Sequence, residues 1–282
     1  MNRFLALCLT SLLLTGVGPA QAEEAPADSE PTTQPALRPA KTPAEEAGRK
    51  WLKKIADRAD KIDTLGAKLR YDRIQGLVGD RQRRFGRLWY QARPTRAFAI
   101  HFDRLLIDRA LRPQDRTYVF DGTWLAERIG DQKQFFRRQV VPPDRKGADP
   151  LALGEGPFAL PITTDADAVL RRFDVKLNED DETEDEEPGP IHLVLTPYGQ
   201  RKPTFTQVDI WYDRQTLLPT RVRTEDRSEN ISVISLRETE TDVEIADDRF
   251  DTHPPEERGW RVEIVPWDDG RPDRDQGNDS SK

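Results

Sequence analysis

Apolar positions along this chain fall first at helical spacing and then at strand spacing. Trp51, Leu52, Ile55, Ala59 and Ile62 recur every three or four residues, which places them on one face of a helix. Thr42-Pro43-Ala44-Glu45 supplies its start: a threonine cap, a proline at the first helical position and the glutamate of a capping box. Asp63 to Gly66 ends it, so a helix is predicted over 43–62. From Leu65 onward the period becomes two. Strands are predicted at 67–75, 83–91, 97–103, 117–121, 124–129 and 134–140, and after a break at 173–177, 191–196, 205–212, 219–224, 231–238 and 260–265. Turn residues such as Gly79-Asp80, Asp121-Gly122, Gly130-Asp131 and Asp213-Arg214 separate them. Strands joined by such short turns pair antiparallel, and a parallel doubly wound sheet lacks the helical crossovers it needs. The break carries Leu151, Leu153, Phe158, Leu160, Val169 and Leu170 within 149–170, the pattern of a short helical insert.

The expected fold class is therefore α+β. A strongly curved antiparallel sheet, an open half-barrel, wraps the N-terminal helix and the short insert, because a sheet of this many strands curls. A half-barrel that stays open leaves an apolar cleft between sheet and helices, where ligands usually bind.

The ends change the picture. Arg3 precedes an apolar stretch from Phe4 to Val17, and Ala20-Gln21-Ala22 follows. That stretch is shorter than the roughly 20 apolar residues a membrane span needs. It has the three parts of a secretory signal, with cleavage expected after Ala22 and a periplasmic destination. Residues 1–22 are then signal peptide, 23–41 a Pro- and Ala-rich disordered spacer, 42–265 the folded domain and 266–282 a disordered polar tail. The single cysteine, Cys8, leaves with the signal, so lipidation at the cleavage site and disulfides are both excluded from the exported chain.

Lysine and arginine total 44 against 51 aspartates and glutamates, and loss of Arg3 takes the net charge to −8. An acidic chain is a poor match for nucleic acid. The run from Glu179 to Glu187 is nearly all acidic and reads as a solvated loop, since it lacks the glycine turn and spaced ligands of a calcium loop. His101, His192 and His253 are far apart and none has a second ligand at metal-binding spacing. No Gly-x-Ser-x-Gly elbow and no glycine-rich phosphate loop occurs. No metal, no cofactor and no enzymatic activity are expected; two carboxylates flanking an aromatic groove, as in a glycosidase, is the enzymatic alternative.

The aromatic residues carry more. Phe85, Trp89, Phe98, Phe102, Tyr118, Phe120, Trp124, Phe135 and Phe136 gather in the first half of the sheet, in a chain only 35% hydrophobic and 34% charged. Phe98, Ile100 and Phe102 share one face of a strand, with Ala97, Ala99 and His101 on the other.

In this order the features resemble the periplasmic outer-membrane lipoprotein carriers, the LolA-like family, in a divergent form. Gly86-Arg87-Leu88-Trp89-Tyr90 followed by Arg93-Pro94 is similar to the family's Gly-x-Leu-Trp strand ending at Arg-Pro. It is one residue longer, so the face on which Trp89 lies stays open. Phe98 and Ile100 match an aromatic-rich strand, and Phe120-Asp121-Gly122-Thr123-Trp124-Leu125 an Asp-Gly hairpin. Pro150-Leu151 to Gly154 resembles the helical insert, Leu193 to Pro197 a strand ending in Leu-x-Pro, and Phe250, Pro254-Pro255 and Gly259 the closing segment. The resemblance implies a periplasmic monomer that binds acyl chains of a lipoprotein or lipid, and exchanges them with transport proteins of the inner and outer membranes. Trp89, Phe98, Ile100, Phe102 and Trp124 would line the cleft, and Arg93 would hold a lid over it. The alternative is an envelope sensor or anchor that binds a protein partner through the same half-barrel.

Overall fold

The computed structural model describes residues 37–77, 79–142, 162, 165–178, 189–199 and 203–267. Helix α1 spans Pro43–Ala59. Its start follows the sequence: Thr42 Oγ1 accepts a hydrogen bond from the Glu45 amide at 3.2 Å, and Glu45 Oε2 accepts from the Lys41 amide at 2.7 Å. Helix α2, Ala166–Arg172, is capped by Asp165, whose Oδ1 accepts from the Ala168 amide. It is the described part of the expected insert; Leu151, Leu153 and the Pro150–Gly154 motif lie outside the described residues.

Twelve strands form one sheet that does not close on itself. In chain order they are β1 Thr64–Ile74, β2 Arg81–Gln91, β3 Ala97–Ile107, β4 Ala110–Phe120, β5 Trp124–Ile129, β6 Gln134–Gln139, β7 Phe173–Asn178, β8 Ile191–Pro197, β9 Gln207–Tyr212, β10 Pro219–Glu225, β11 Ile231–Thr241 and β12 Arg261–Val265. All twelve lie where period-two spacing puts them. The order is β12-β6-β5-β4-β3-β2-β1-β11-β10-β9-β8-β7, two meanders joined edge to edge where β1 pairs with β11. Helix α1 ends three residues before its predicted end, several strands run a few residues beyond theirs, and two larger details differ from expectation. β4 begins at Ala110, seven residues before the predicted start, because Asp108 and Arg109 make a two-residue hairpin turn at φ 50° and 65°. β12 runs parallel to β6, after residues 242–260 have crossed the outer face of the sheet.

The inner face carries two apolar clusters. One joins Leu52 and Ile55 of α1 to Val175, Leu193, Ile210, Tyr212 and Val222 on β7–β10. Gly48 allows α1 this close approach: a β-carbon there would stand 2.8 Å from the Val175 carbonyl oxygen. The other joins Leu88, Tyr90, Phe98, Ile100, Phe102 and Phe120 to Leu65 and Leu69 of β1, Ile234 and Leu236 of β11, and Val141 and Ile162. No residue of α1 or α2 belongs to this second cluster.

Candidate functional site

Strand register arranges the inner face of β2–β4 in rows. Tyr90, Phe98 and Phe120 stand side by side, then Leu88, Ile100 and Tyr118, then Gly86, Phe102 and Arg116, then Arg84, Leu105 and Arg112. Along β2 each row lies two residues from the next, while the irregularity after Phe102 spaces the last two rows three residues apart on β3 and four on β4. Measured on β2 the ladder is about 20 Å long at ~3.3 Å of rise per residue. Its deep end is apolar and its other end, the mouth, is cationic. Rings meet within and between rows: Phe98 and Phe120 at 5.8 Å between centroids within one row, Phe102 and Tyr118 at 6.3 Å across two, and Phe102 and Tyr71 of β1 at 6.2 Å.

Gly86 is needed where it sits. A β-carbon there would run into the His101 carbonyl oxygen, because β3 bulges toward β2 between Phe102 and Arg104. The glycine of the Gly-Arg-Leu-Trp motif therefore answers a backbone contact, and it leaves no side chain between Leu88 and Arg84.

Phe98, Ile100 and Phe102 share this face as alternation requires, and they are 0%, 0% and 1% exposed. An open apolar cleft was expected beside them; among the described residues they are buried in the second cluster. Trp89 and Trp124 are not brought to the same place. Trp89 pairs with Ala99, and Trp124 shares its strand face with Ala126, so both rings lie on the outer face of the sheet. The Arg249 guanidinium sits 4.2 Å from the Trp89 ring centre, and that of Arg137 4.3 Å from Trp124.

That outer face holds a groove of about 720 Å³ beneath the segment 242–260. Trp89, His101, Thr117 and Phe135 form its floor, Arg249 and His253 its roof. Thr252 pins the roof by donating to Asp121 Oδ2 at 2.6 Å. His101 Nδ1 lies 2.9 Å from Thr117 Oγ1, and His253 Nδ1 2.5 Å from Asp251 Oδ1. Among the described residues no group of three His, Cys, Asp or Glu could hold a metal.

Arg93 is 60% exposed at its side chain and pairs with Asp63, while its Nη1 donates to the Asp60 carbonyl at 3.4 Å. It ties the end of β2 to the turn that leaves α1.

The residues that sequence reasoning passed over lie at the mouth. Arg116 donates from Nε to Glu127 at 2.7 Å. Burial opposes the Arg116 charge, yet the hydrogen bond and charge of Glu127 hold its pKa above the usual value. Tyr118, half-buried and beside Glu127, is pushed up to about 12. Arg84 is different. Its Nη2 donates to Gln82 Oε1 at 3.1 Å, and no carboxylate among the described residues pairs with it. Burial, then repulsion from Arg116, lowers its pKa. A signal existed in the sequence: Arg84 has the same parity as Leu88 and Tyr90, and Tyr118 the same parity as Phe120.

On the other half of the sheet His192 and Asp209, both under 9% exposed, form an outer-face pair. His192 Nε2 donates to Asp209 Oδ1 at 3.1 Å, the His192 ring stacks on Trp211 at 4.2 Å, and Arg223 Nη1 reaches Asp209 Oδ2 at 3.3 Å.

No protein-family model matches this chain, and no curated protein matches it. Among solved structures it is similar to a conserved protein of Thermus thermophilus, at 12% identity and TM-score 0.45 over 76% of this chain and 98% of that one. It is similar to an outer-membrane lipoprotein-sorting protein domain of Vibrio parahaemolyticus, at 11% identity and TM-score 0.39 over 73% and 97%. It is also similar to a LolA superfamily protein of Nitrosomonas europaea, at 14% identity and TM-score 0.34 over 71% of this chain and 97% of that one.

Proposed function

We propose that this protein is a non-catalytic carrier of the cell envelope that takes up acyl chains of a lipoprotein or lipid on the inner face of β1–β5. The observation that supports this reading is the second apolar cluster. Leu88, Tyr90, Phe98, Ile100, Phe102 and Phe120 form one continuous buried apolar cluster, and neither α1 nor α2 belongs to it. An acyl chain placed there gains about 0.8 kcal/mol for each methylene taken from water. Since these side chains are buried, cargo enters only as the face opens, and loading competes with core packing. That competition gives a carrier a way to release what it holds. Export by the signal at 1–22, and exchange with membrane transport proteins, belong to the same reading.

Binding of a fluorescent acyl probe tests it. Wild type binds the probe; Phe98→Glu loses binding by more than ~100-fold, because a charge in an apolar site costs several kcal/mol unless paired. Phe98→Leu, which keeps the site apolar, binds and serves as the folded control. A wild type that binds no probe, or a folded Phe98→Glu that binds like wild type, sinks the reading.

A second reading, an envelope sensor or anchor for a protein partner, is favoured by the outer groove. Its floor exposes part of Trp89 and its rim mixes Arg249 with Asp248, Asp251 and Glu256. A partner that binds there is lost on Trp89→Ala with acyl binding unchanged.

A further inference from the structure

The ladder of rows on the inner face ends at Arg84, which no carboxylate among the described residues pairs with. On the outer face of the same strands, Arg70 and Arg83 share the buried carboxylate of Asp72, at 3.0 Å and 2.6 Å. On the inner face Arg116 has Glu127. Arg84 stands one row further out, opposite Leu105 on one side and Tyr71 on the other. Arg116 and Arg73 both repel it. Arg84 thus stands beside two other guanidiniums, of which Arg116 has Glu127 and Arg73 lies near Asp226, at the end of a face that is apolar for the rest of its length. A half-buried cation without a counter-charge is costly to a fold and is a ready partner for an anion brought from outside. Guanidinium is the group best shaped for carboxylate and phosphate oxygens.

We infer that Arg84, with Arg116 and Arg73 beside it, binds the carboxylate or phosphate head group of an anionic amphiphile whose acyl chain runs along the Phe102, Ile100 and Phe98 rows. This rests on the carrier reading and narrows its cargo to lipids with a negative head. It also orients the cargo, head at the mouth beside the β1–β2 and β3–β4 hairpins and tail toward Phe120. Gly86 contributes by leaving the path between Leu88 and Arg84 free of a side chain.

Two probes with the same chain separate the head from the tail: anthroyloxy-labelled stearic acid, ionised, and the correspondingly labelled stearyl alcohol. Wild type binds the acid at least about tenfold more tightly than the alcohol, the scale expected of charge-assisted hydrogen bonds. Arg84→Gln removes that preference and leaves alcohol binding unchanged, whereas Arg84→Lys keeps most of it. Arg84→Gln also relieves repulsion from Arg116 and Arg73, so its melting temperature stays level or rises. Equal binding of acid and alcohol by wild type, or an Arg84→Gln that still prefers the acid, overturns the head-group site while the carrier reading stands. If neither probe binds wild type, both fall. Millimolar inorganic phosphate distinguishes a free anion from a head group. Phosphate that protects against heat as strongly as the acid, with no alcohol binding, makes this a free-anion site and overturns the amphiphile.

Discussion

The two halves of one sheet solve the same problem differently. In β7–β10 the inner face is filled by the chain's own helix, with Leu52 and Ile55 of α1 at 1% and 2% exposure against Val175, Leu193 and Ile210. In β1–β5 the inner face packs its own aromatic side chains together and ends at Arg84. The treatment of charge differs as well. The outer face of β8–β10 closes His192, Asp209 and Arg223 into a network with each group partnered. At the mouth of β2–β4, Arg84 pairs with no carboxylate among the described residues. A half that is filled and neutralised is a structural half. A half whose apolar face is packed by neither α1 nor α2, and which ends at that arginine, fits the receiving role proposed above. If that distinction is real, mutations in the two halves divide cleanly into those that change stability and those that change binding.

The largest effect is expected where α1 meets the sheet. Leu52→Ala removes buried methylenes from a packed site and lowers unfolding free energy by about 2–5 kcal/mol. Urea denaturation measures it. Acyl-probe affinity of the folded fraction stays at the wild-type value, because Leu52 belongs to the other cluster. A parallel loss of probe affinity would merge the two halves into one core.

Gly86→Val follows. Its β-carbon meets the His101 carbonyl oxygen, a backbone atom that moves only if β3 shifts. A cost of about 1–3 kcal/mol is expected from such overpacking. Probe binding falls too, since the valine stands between Leu88 and Arg84. Stability loss with normal binding would leave Gly86 a purely structural residue.

These two positions also show what the sequence could disclose. Period-two spacing located every strand, and Thr42-Pro43-Ala44-Glu45 fixed the start of α1, because both are local patterns. Strand order was not local: nothing in β1 announces β11 as its neighbour, and β12 reaches β6 only by crossing the sheet. The start of β4 was hidden because Arg109 adopts positive φ in a turn where glycine or asparagine is the usual signal. Phe98, Ile100 and Phe102 were legible as one face from alternation within β3. Trp89 and Trp124 were not, since assigning them a face needed the register to β3 and β4. Arg84 was overlooked for another reason. A charged residue in a strand is ordinarily read as solvent-facing, and only its parity with Leu88 places it inside.

The outer network of the structural half gives a pH signature. Burial alone would raise the Asp209 pKa, but hydrogen bonds from His192 and Gln207 and the nearby charge of Arg223 hold it below the ordinary value. A carboxylate depressed in the folded state stabilises above its unfolded pKa, about 3.9, and that stability is lost as pH falls through the lower folded value. Asp209→Asn is therefore expected to cost about 1 kcal/mol near neutrality. The gap to wild type narrows steadily in urea titrations taken below about pH 4. A gap constant down to acid pH would mean that packing against Trp211, and not charge, holds this network. Acyl-probe binding is unaffected at any pH where both proteins are folded.

The smallest stability effect, and the sharpest division of the two halves, is expected at Arg93. Its ion pair with Asp63 joins side chains that are 60% and 57% exposed. Exposed pairs of this kind contribute roughly 0–1 kcal/mol, so Arg93→Ala leaves the unfolding midpoint almost where it was. Its position matters more than its strength. β2 carries Leu88 and Tyr90 of the receiving face, and Asp63 lies in the turn between α1 and β1. Arg93 thus clips the receiving half to the structural half at the deep end of the ladder. If the face must part for cargo to enter, loosening this clip lowers the barrier. Stopped-flow measurement with the acyl probe then shows faster uptake and faster release, each by several-fold, with little change in equilibrium affinity. Added salt brings the wild type toward the variant, because an exposed pair is screened. Identical rates in wild type and Arg93→Ala would confine this arginine to the surface and leave the opening of the receiving face to its packed side chains alone.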